Sequence, residues 1–277
     1  MKRACILYKR SDAQKNGVLI NKYFNAVSAF GLVPGLVITD GLDNDEVLAM
    51  TDGAELVVNR TRDSGLAAFL ERRGLRVTNP SEVCETANDK LLTYERLKDT
   101  VPMLETYPLT REGDRLPYPF VAKPVGGHGG MGVSMIGNAD ELEAFLANTP
   151  GGAIMQPVAT EVGRDMRVYV IGGKPVAAML RESKTDFRSN FSLGGSAKMV
   201  PISELERDEL DIVEGVCSKL PLHYAGVDIM RDSGHAILNE IEDPVGARML
   251  YIYTETDPAM MHIQSVLQNE FQEAEYE

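Results

Sequence analysis

Two hydrophobic periods share this chain. Over residues 1–80, short apolar runs of strand type, ACILY (4–8), GLVIT (35–39), ELVVNR (55–60) and LRVTN (75–79), alternate with stretches of helical period. The stretch 14–30 sets Leu19, Tyr23, Phe24 and Val27 on one face and ends at Gly31. DNDEVLAM (43–50) begins at Asp43, a residue suited to cap it, and TRDSGLAAFLERRG (61–74) stops at Gly74. Repeated strand and helix predict an α/β unit, a parallel sheet with helices on its faces.

After residue 80 the pattern changes. A helix over 81–99 is closed by Val101 and Pro102. Strand pairs follow: PFVAKP (119–124) with GVSMIG (132–137), then GAIMQPV (152–158), DMRVYVIGGKPVAAMLRES (165–183) and AGVDIMRDSGHAILNEIE (225–242). The turns fall at Gly172-Gly173-Lys174 and Asp232-Ser233-Gly234, so these strands are antiparallel. Helices are predicted over 139–148, capped by Asn138, over 203–220, and from 257 into an acidic tail.

The length of 277 residues suits about two domains at ~150 residues each. With 44% apolar and 25% charged residues, a disordered chain, a collagen and a disulfide scaffold are excluded. A net charge of −13 argues against a duplex nucleic-acid binder but leaves room for a local basic pocket. Cys5, Cys84 and Cys217 have no metal-ligand spacing and suit a reducing compartment. No apolar run approaches ~18 residues. The expectation is a cytoplasmic protein with no membrane or nucleic-acid partner; a homo-oligomer stays open.

Residues 127–132, GHGGMG, match G-x-G-x-x-G literally. A dinucleotide fingerprint needs a helix directly after it, and here VSMI follows, a strand. No Gly-Lys-Ser/Thr closes the loop either. A glycine-rich hairpin beside Lys123, able to bring backbone N–H groups to phosphate, is the better description, with a plain turn as the alternative. Asp228 on GVDIM and Glu240 and Glu242 on LNEIE fall on one hairpin, and Glu240 and Glu242 share a side. Three carboxylates among apolar residues repel unless a cation joins them, and hard oxygen ligands near phosphate suggest Mg²⁺; a solvated acidic face is the other reading. The stretch 181–198, with Arg181, Lys184, Arg188 and Lys198, lacks a helical period and reads as a loop that either meets an anion or faces solvent.

Taken in order, Asp89-Lys90, FVAKP, GGHGGMGV, IMQPV, DMRVYVIGGKPVAAMLR, DFRSNFSLGG, AGVDIM and NEIED resemble the ATP-grasp superfamily, and within it the RimK-like carboxylate–amine ligases. The resemblance spans essentially the whole chain. It implies a pre-ATP-grasp α/β domain over 1–80 and an α+β ATP-grasp domain over 81–277. Within the latter, 81–157 would form a small lobe with the flap and 158–277 a large lobe with the metal site.

By the same resemblance Lys90 and Lys123 contact ATP phosphates and Gln156, Pro157 and Val158 meet the adenine. Asp165 lies on the ribose side, and Arg188, Ser189 and Asn190 form the nucleotide and acyl-phosphate loop. Arg181 belongs to the catalytic core with Lys123 and Arg188, and Asp228, Glu240 and Glu242 hold two Mg²⁺ ions. Two departures stand out. Pro157 offers no N–H, which would leave the adenine donor to Val158. Glu242 stands where the family usually has Asn, an extra charge that Arg248 would offset. The implied reaction joins a small-molecule or peptide carboxylate to an amine through an acyl phosphate, releasing ADP and phosphate. The departures keep two other readings open, an ATP-binding module without ligase chemistry and a kinase. Arg60 and Arg62, after the third strand, face the domain junction, where they would recognise a carboxylate or simply begin a helix.

Overall fold

Strict alternation governs the N-terminal sheet of the protein. A computed structural model describes residues 2–110, 116–183, 188–189 and 195–268; Lys184 and Asn190 lie outside the described residues. In β1 (Arg3–Tyr8), Ala4, Ile6 and Tyr8 join one core while Cys5 and Leu7 join another, so the strand is buried on both faces. It is followed by α1 (Arg10–Lys15), α2 (Gly17–Ala29), β2 (Val33–Ile38), α3 (Asn44–Thr51), β3 (Ala54–Asn59), α4 (Ser64–Arg72) and the two-residue β4 (Val77–Thr78). The strands are parallel in the order β2-β1-β3-β4. The helix predicted over 14–30 is two helices. Asn16 ends the first, its side-chain amide donating to the Asp12 carbonyl at 2.8 Å. Asp43 does cap α3: its carboxylate accepts from the Glu46 N–H at 2.9 Å, and Glu46 accepts from the Asp43 N–H at 2.8 Å.

The helix predicted over 81–99 is likewise α5 (Ser81–Ala87) and α6 (Lys90–Leu97). Asp89 restarts it by accepting from the Leu92 N–H, which places Lys90 in the first turn of α6. Next come β5 (Tyr107–Pro108), β6 (Phe120–Pro124), β7 (Ser134–Ile136), α7 (Ala139–Ala147), capped by Asn138, and β8 (Ala153–Pro157). These strands form an antiparallel sheet ordered β5-β8-β6-β7, with α7 packed on it.

The last sheet contains β9 (Arg164–Ile171), β10 (Lys174–Glu182), β11 (Ser196–Val200), β12 (Tyr224–Asp232) and β13 (His235–Glu242), ordered β11-β10-β9-β12-β13. Helix α8 (Arg207–Lys219) covers one face with Ile212, Val213 and Val216 against Val168, Val170, Val227 and Ile241. Both ends of the stretch 181–198 correct the loop reading. Arg181 lies on β10 opposite Ala197 of β11, because cross-strand pairing continues there and buried acidic partners hold the arginine. After the carboxylate hairpin the chain forms α9 (Arg248–Tyr253), which the sequence pattern did not suggest, and α10 (Pro258–Leu267). Helix α10 returns to the first sheet, where Ala259, Ile263 and Val266 complete a core with Leu19, Tyr23 and Val27. The division at residue 80 is therefore our proposed partition, with α10 added to the first unit. No described helix is long and apolar enough to cross a membrane.

Candidate active site

Strand register assembles the centre of the site. Arg181 on β10 lies directly opposite Asp165 on β9, and Arg167 on β9 lies opposite Asp228 on β12, which in turn faces Glu240 on β13. Opposite charges at facing positions of adjacent strands interact at close range. Arg167 donates from Nε to Asp228 Oδ1 at 2.7 Å and from Nη2 to Asp228 Oδ2 at 2.6 Å and Glu242 Oε2 at 2.8 Å. Arg181 donates from Nε to Asp165 Oδ1 at 2.7 Å, and from Nη2 to Asp165 Oδ2 and, at 2.7 Å, to Asp228 Oδ2. Gly226 makes room for this: a Cβ there would stand 3.4 Å from Arg167 Cδ and 3.0 Å from Val245 Cγ2.

Asp228 is fully buried. Burial pushes its carboxyl up, but Arg167 and Arg181 together outweigh it and hold the carboxyl at about 2. Glu240 goes the other way: burial, then the charge of Asp228, pushes it up to about 7, with Lys90 and Lys123 pulling down. Burial also lowers the Lys123 ammonium to about 8, opposed by Glu240. Asp165, Asp228, Glu240 and Glu242 are thus matched against Arg167, Arg181, Lys90 and Lys123.

The carboxylate oxygens of Asp228, Glu240 and Glu242 come within 4.8 Å of one another. They are hard oxygen donors, and each carboxylate keeps lone pairs beyond those the arginines use, so the set fits Mg²⁺. The charge of Glu242 is offset by Arg167, not by Arg248, which is exposed and makes no ion pair among the described residues.

This charged wall separates two cavities. On one side, Lys90, Lys123, Gln156, Pro157, Asp165, Arg188, Ser189 and Glu240 line a narrow cleft of about 80 Å³ under the glycine-rich hairpin. Val158 is not among its lining residues, and Asn190 is outside the described ones. Each cation there donates to a neutral oxygen, Lys90 to the Gly127 carbonyl, Lys123 to Asn239 Oδ1 at 3.0 Å and Arg188 to the Gly130 carbonyl at 3.1 Å, and Lys90 also lies 3.9 Å from Glu240 Oε2. Gln156 donates to Thr106 Oγ1 at 2.8 Å, and its buried Oε1 meets no donor among the described residues. Gly132 is fixed in the hairpin by a φ of +72° and by Pro124 Cγ, 2.8 Å from where a Cβ would lie.

On the other side a cavity of about 370 Å³ lies between the first sheet and α9, lined by Arg60, Arg62, Arg167, Arg181, Glu242 and Arg248 among others. The structure thus gathers Lys90, Lys123, Gln156, Pro157, Asp165, Arg181, Arg188, Ser189, Asp228, Glu240 and Glu242 around this wall, leaves Val158 off the cleft lining, and adds Arg167 and Asn239, which the sequence reading missed. The Asp165–Arg167 spacing on one strand face was the available signal for Arg167; nothing marked Asn239.

Comparison with known proteins gives these findings. The RimK-like ATP-grasp domain family matches residues 87–266. "Uncharacterized protein MG011 homolog" of Mycoplasma pneumoniae is 25% identical over 251 residues, 90% of this chain and 86% of that protein. "Probable alpha-L-glutamate ligase" of Coxiella burnetii is 33% identical over 156 residues, 54% of this chain and 51% of that protein. In fold, the ATP-grasp protein with a RimK domain from Sphaerobacter thermophilus superposes with a TM-score of 0.75 at 18% identity, over 96% of this chain and 99% of that one.

Proposed function

The chain belongs to the RimK-like ATP-grasp family, and from that premise we propose that it is an ADP-forming ligase that joins an amino acid to an amino acid, peptide or protein through an acyl phosphate. The observation that carries this reading is the charged wall, with a cation-lined cleft on one side and a larger basic cavity on the other. ATP in the first and a carboxylic acid in the second would meet across Glu240 and Glu242.

In the first step a carboxylate oxygen attacks the γ-phosphorus, the bond to the β,γ-bridging oxygen breaks and ADP leaves. In the second an amine nitrogen attacks the acyl carbon, the carbon–oxygen bond to phosphate breaks, and amide and phosphate form with loss of the amine proton. Positioning and charge neutralisation carry such chemistry, and no side-chain nucleophile is needed. Lys90, Lys123 and Arg188 exchange their carbonyl and carboxamide partners for phosphate oxygens. Because the cleft is well below the ~300 Å³ of ordinary ligand sites, the hairpin lifts to admit the nucleotide. Asp228, Glu240 and Glu242 would hold two Mg²⁺ ions, which would supply charge neutralisation for the transferring phosphoryl group. Arg181 and Arg167, committed to carboxylates, are positioning residues that fix Asp228. Three cysteines with no metal-ligand spacing support a cytoplasmic location.

The test is ADP release with Mg-ATP, acids and amines, each omitted in turn. Release should require both an acid and an amine. Glu240→Gln should lower it about 10³-fold while circular dichroism and melting are retained. ADP formation indifferent to the amine would end the ligase reading.

A further inference from the structure

Strand β13 breaks its own alternation beside the carboxylates of the wall. Asp228 faces Glu240 across the β12–β13 pair, but the next pair is Ile229 with Leu238, so Asn239 has no cross-strand partner. One extra residue in one strand of an antiparallel pair is a β-bulge, a device that re-aims side chains. The packing records the shift: Ala236, Leu238 and Ile241 all enter the core under α8, at a spacing of two and then three. In an unbroken strand Asn239 and Glu240 would point to opposite faces. Here both line the nucleotide cleft. The segment before β5 pins the bulge, since the Leu238 N–H donates to the Pro102 carbonyl at 2.8 Å and Met103 bridges to Leu238.

The contact that Asn239 makes there is with Lys123. Lys123 Nζ, on β6 of the other sheet, donates to Asn239 Oδ1 at 3.0 Å, so the bond spans the cleft from one sheet to the other. Among the described residues Lys123 forms no ion pair, whereas Lys90 lies 3.9 Å from Glu240 Oε2. Lysine carries a compact charge on a flexible stem, so its partner decides where that charge rests. An apolar side chain at 239 would leave the ammonium unmet and free to turn to Glu240, the next carboxylate in sequence. A carboxylate at 239 would bind it in a desolvated ion pair that an incoming phosphate must break. A carboxamide satisfies one of its three N–H groups without cancelling its charge.

We propose that Asn239 is a positioning residue for ATP: presented by the bulge, its neutral carboxamide keeps the Lys123 ammonium off Glu240, aimed into the cleft, and gives it up to phosphate. This rests on the reading above that ATP occupies this cleft, and not on which acid or amine reacts.

A double-mutant cycle read by calorimetric titration of ATP, ADP and adenosine tests it. Asn239→Leu should weaken ATP and ADP binding about 10-fold, the loss expected for one hydrogen bond to a charged group, with adenosine affinity changed less than about 2-fold. In the Lys123→Met background the same replacement should change ATP binding less than about 2-fold, because its effect runs through the lysine. A residue that merely shaped the bulge would weaken all three ligands and add its loss to that of Lys123→Met. Asn239→Asp, of the same shape, keeps the test open if leucine disturbs the strand. It should weaken ATP binding at least about 10-fold with melting unchanged, because charge then holds the lysine. Parent-like ATP binding in either variant, additive losses in the cycle, or an equal loss for adenosine overturns the proposal. If the parent protein binds no ATP, the nucleotide reading falls and this one with it. If the cycle behaves as stated but no combination of acid and amine releases ADP, the ligase reading fails while the role of Asn239 stands.

Discussion

The two cavities treat their cations differently. In the nucleotide cleft Lys90, Lys123 and Arg188 each donate to a neutral oxygen, from Gly127, Asn239 and Gly130, and Lys90 also lies 3.9 Å from the Glu240 carboxylate. At the junction, Arg60 Nε and the Tyr8 and Tyr251 hydroxyls rest on nothing among the described residues. Neutral partners are easily exchanged for phosphate oxygens, which suits a ligand recognised by charge along a chain of phosphates. Buried, unmet donors instead penalise any molecule that fails to satisfy them, which is how a site rejects close analogues. The contrast teaches that the two cavities differ in how their buried donors are met: on neutral oxygens beside Glu240 in one, and partly unmet among the described residues, with Arg62 on Asp12, in the other.

The largest break in this arrangement comes from the wall between the cavities. Asp228→Ala leaves Arg167 and Arg181 buried beside fewer carboxylates. Removing one partner of a buried ion pair destabilises by about 3–5 kcal/mol. Urea unfolding should register a loss of that order; a loss below about 1 kcal/mol would show that the arginines relax outward and that the wall is soft.

Acid should act on the junction. Tyr23 Oη, His262, Thr78 Oγ1 and His223 form a buried chain, with contacts of 2.9, 2.8 and 2.7 Å, joining α2, α10, β4 and the approach to β12. Burial, then Arg76, lowers the His223 imidazole to about 3, and burial, then His223 and Arg60, lowers His262 well below its ordinary value. Both are neutral when folded. Unfolded, each takes up a proton as pH falls through about 6.5, so the unfolded state binds more protons and stability is lost from pH 6.5 downward, for His223 until about pH 3. Glu240 and Asp243, pushed up to about 7 and about 6, titrate with the opposite sign. A difference measurement cancels them. Between pH 6 and 4, the stability of His223→Asn should fall less steeply than that of the parent by about 1.4 kcal/mol per pH unit. Parallel slopes would mean that His223 is protonated in the fold.

The smallest effect sharpens the exchange side of the comparison. Lys123→Met removes one charge-assisted contact and should weaken ATP binding about 10- to 100-fold, read by nucleotide titration, with little change in affinity for the acid substrate. Equal losses of both ligands would show that the two cavities respond as one.

Local physics was enough for much of this molecule. Short apolar runs alternating with helical stretches specified a parallel sheet over 1–80, whose inner strands β1 and β3 are buried on both faces while the edge strand β2 keeps Val33 and Leu36 exposed. Asp43 and Asn138 announced their helices through side chains that reach the first free N–H groups, and the strand after GHGGMG excluded a dinucleotide fold. Glu240 and Glu242 had to share a face whatever the tertiary structure. Other features required positions distant in sequence to meet. The break between α5 and α6 is held in part by Asn88, whose side-chain amide donates to the Asp243 carbonyl at 2.8 Å, far along the chain. Arg167 meets Asp228, and Arg181 meets Asp165, only because three strands stand in one register, and register is decided by the packing of whole sheets. That is why Arg167, not the nearby Arg248, neutralises Glu242. Tyr8, Arg60 and Tyr251, far apart along the chain, converge at one cavity through the packing of α9 and α10 against the first sheet. The sequence by itself thus determined most of the elements and the family the motifs belong to. Tertiary structure alone decided which charges meet, because Coulomb pairing and desolvation depend on distances that no local pattern encodes.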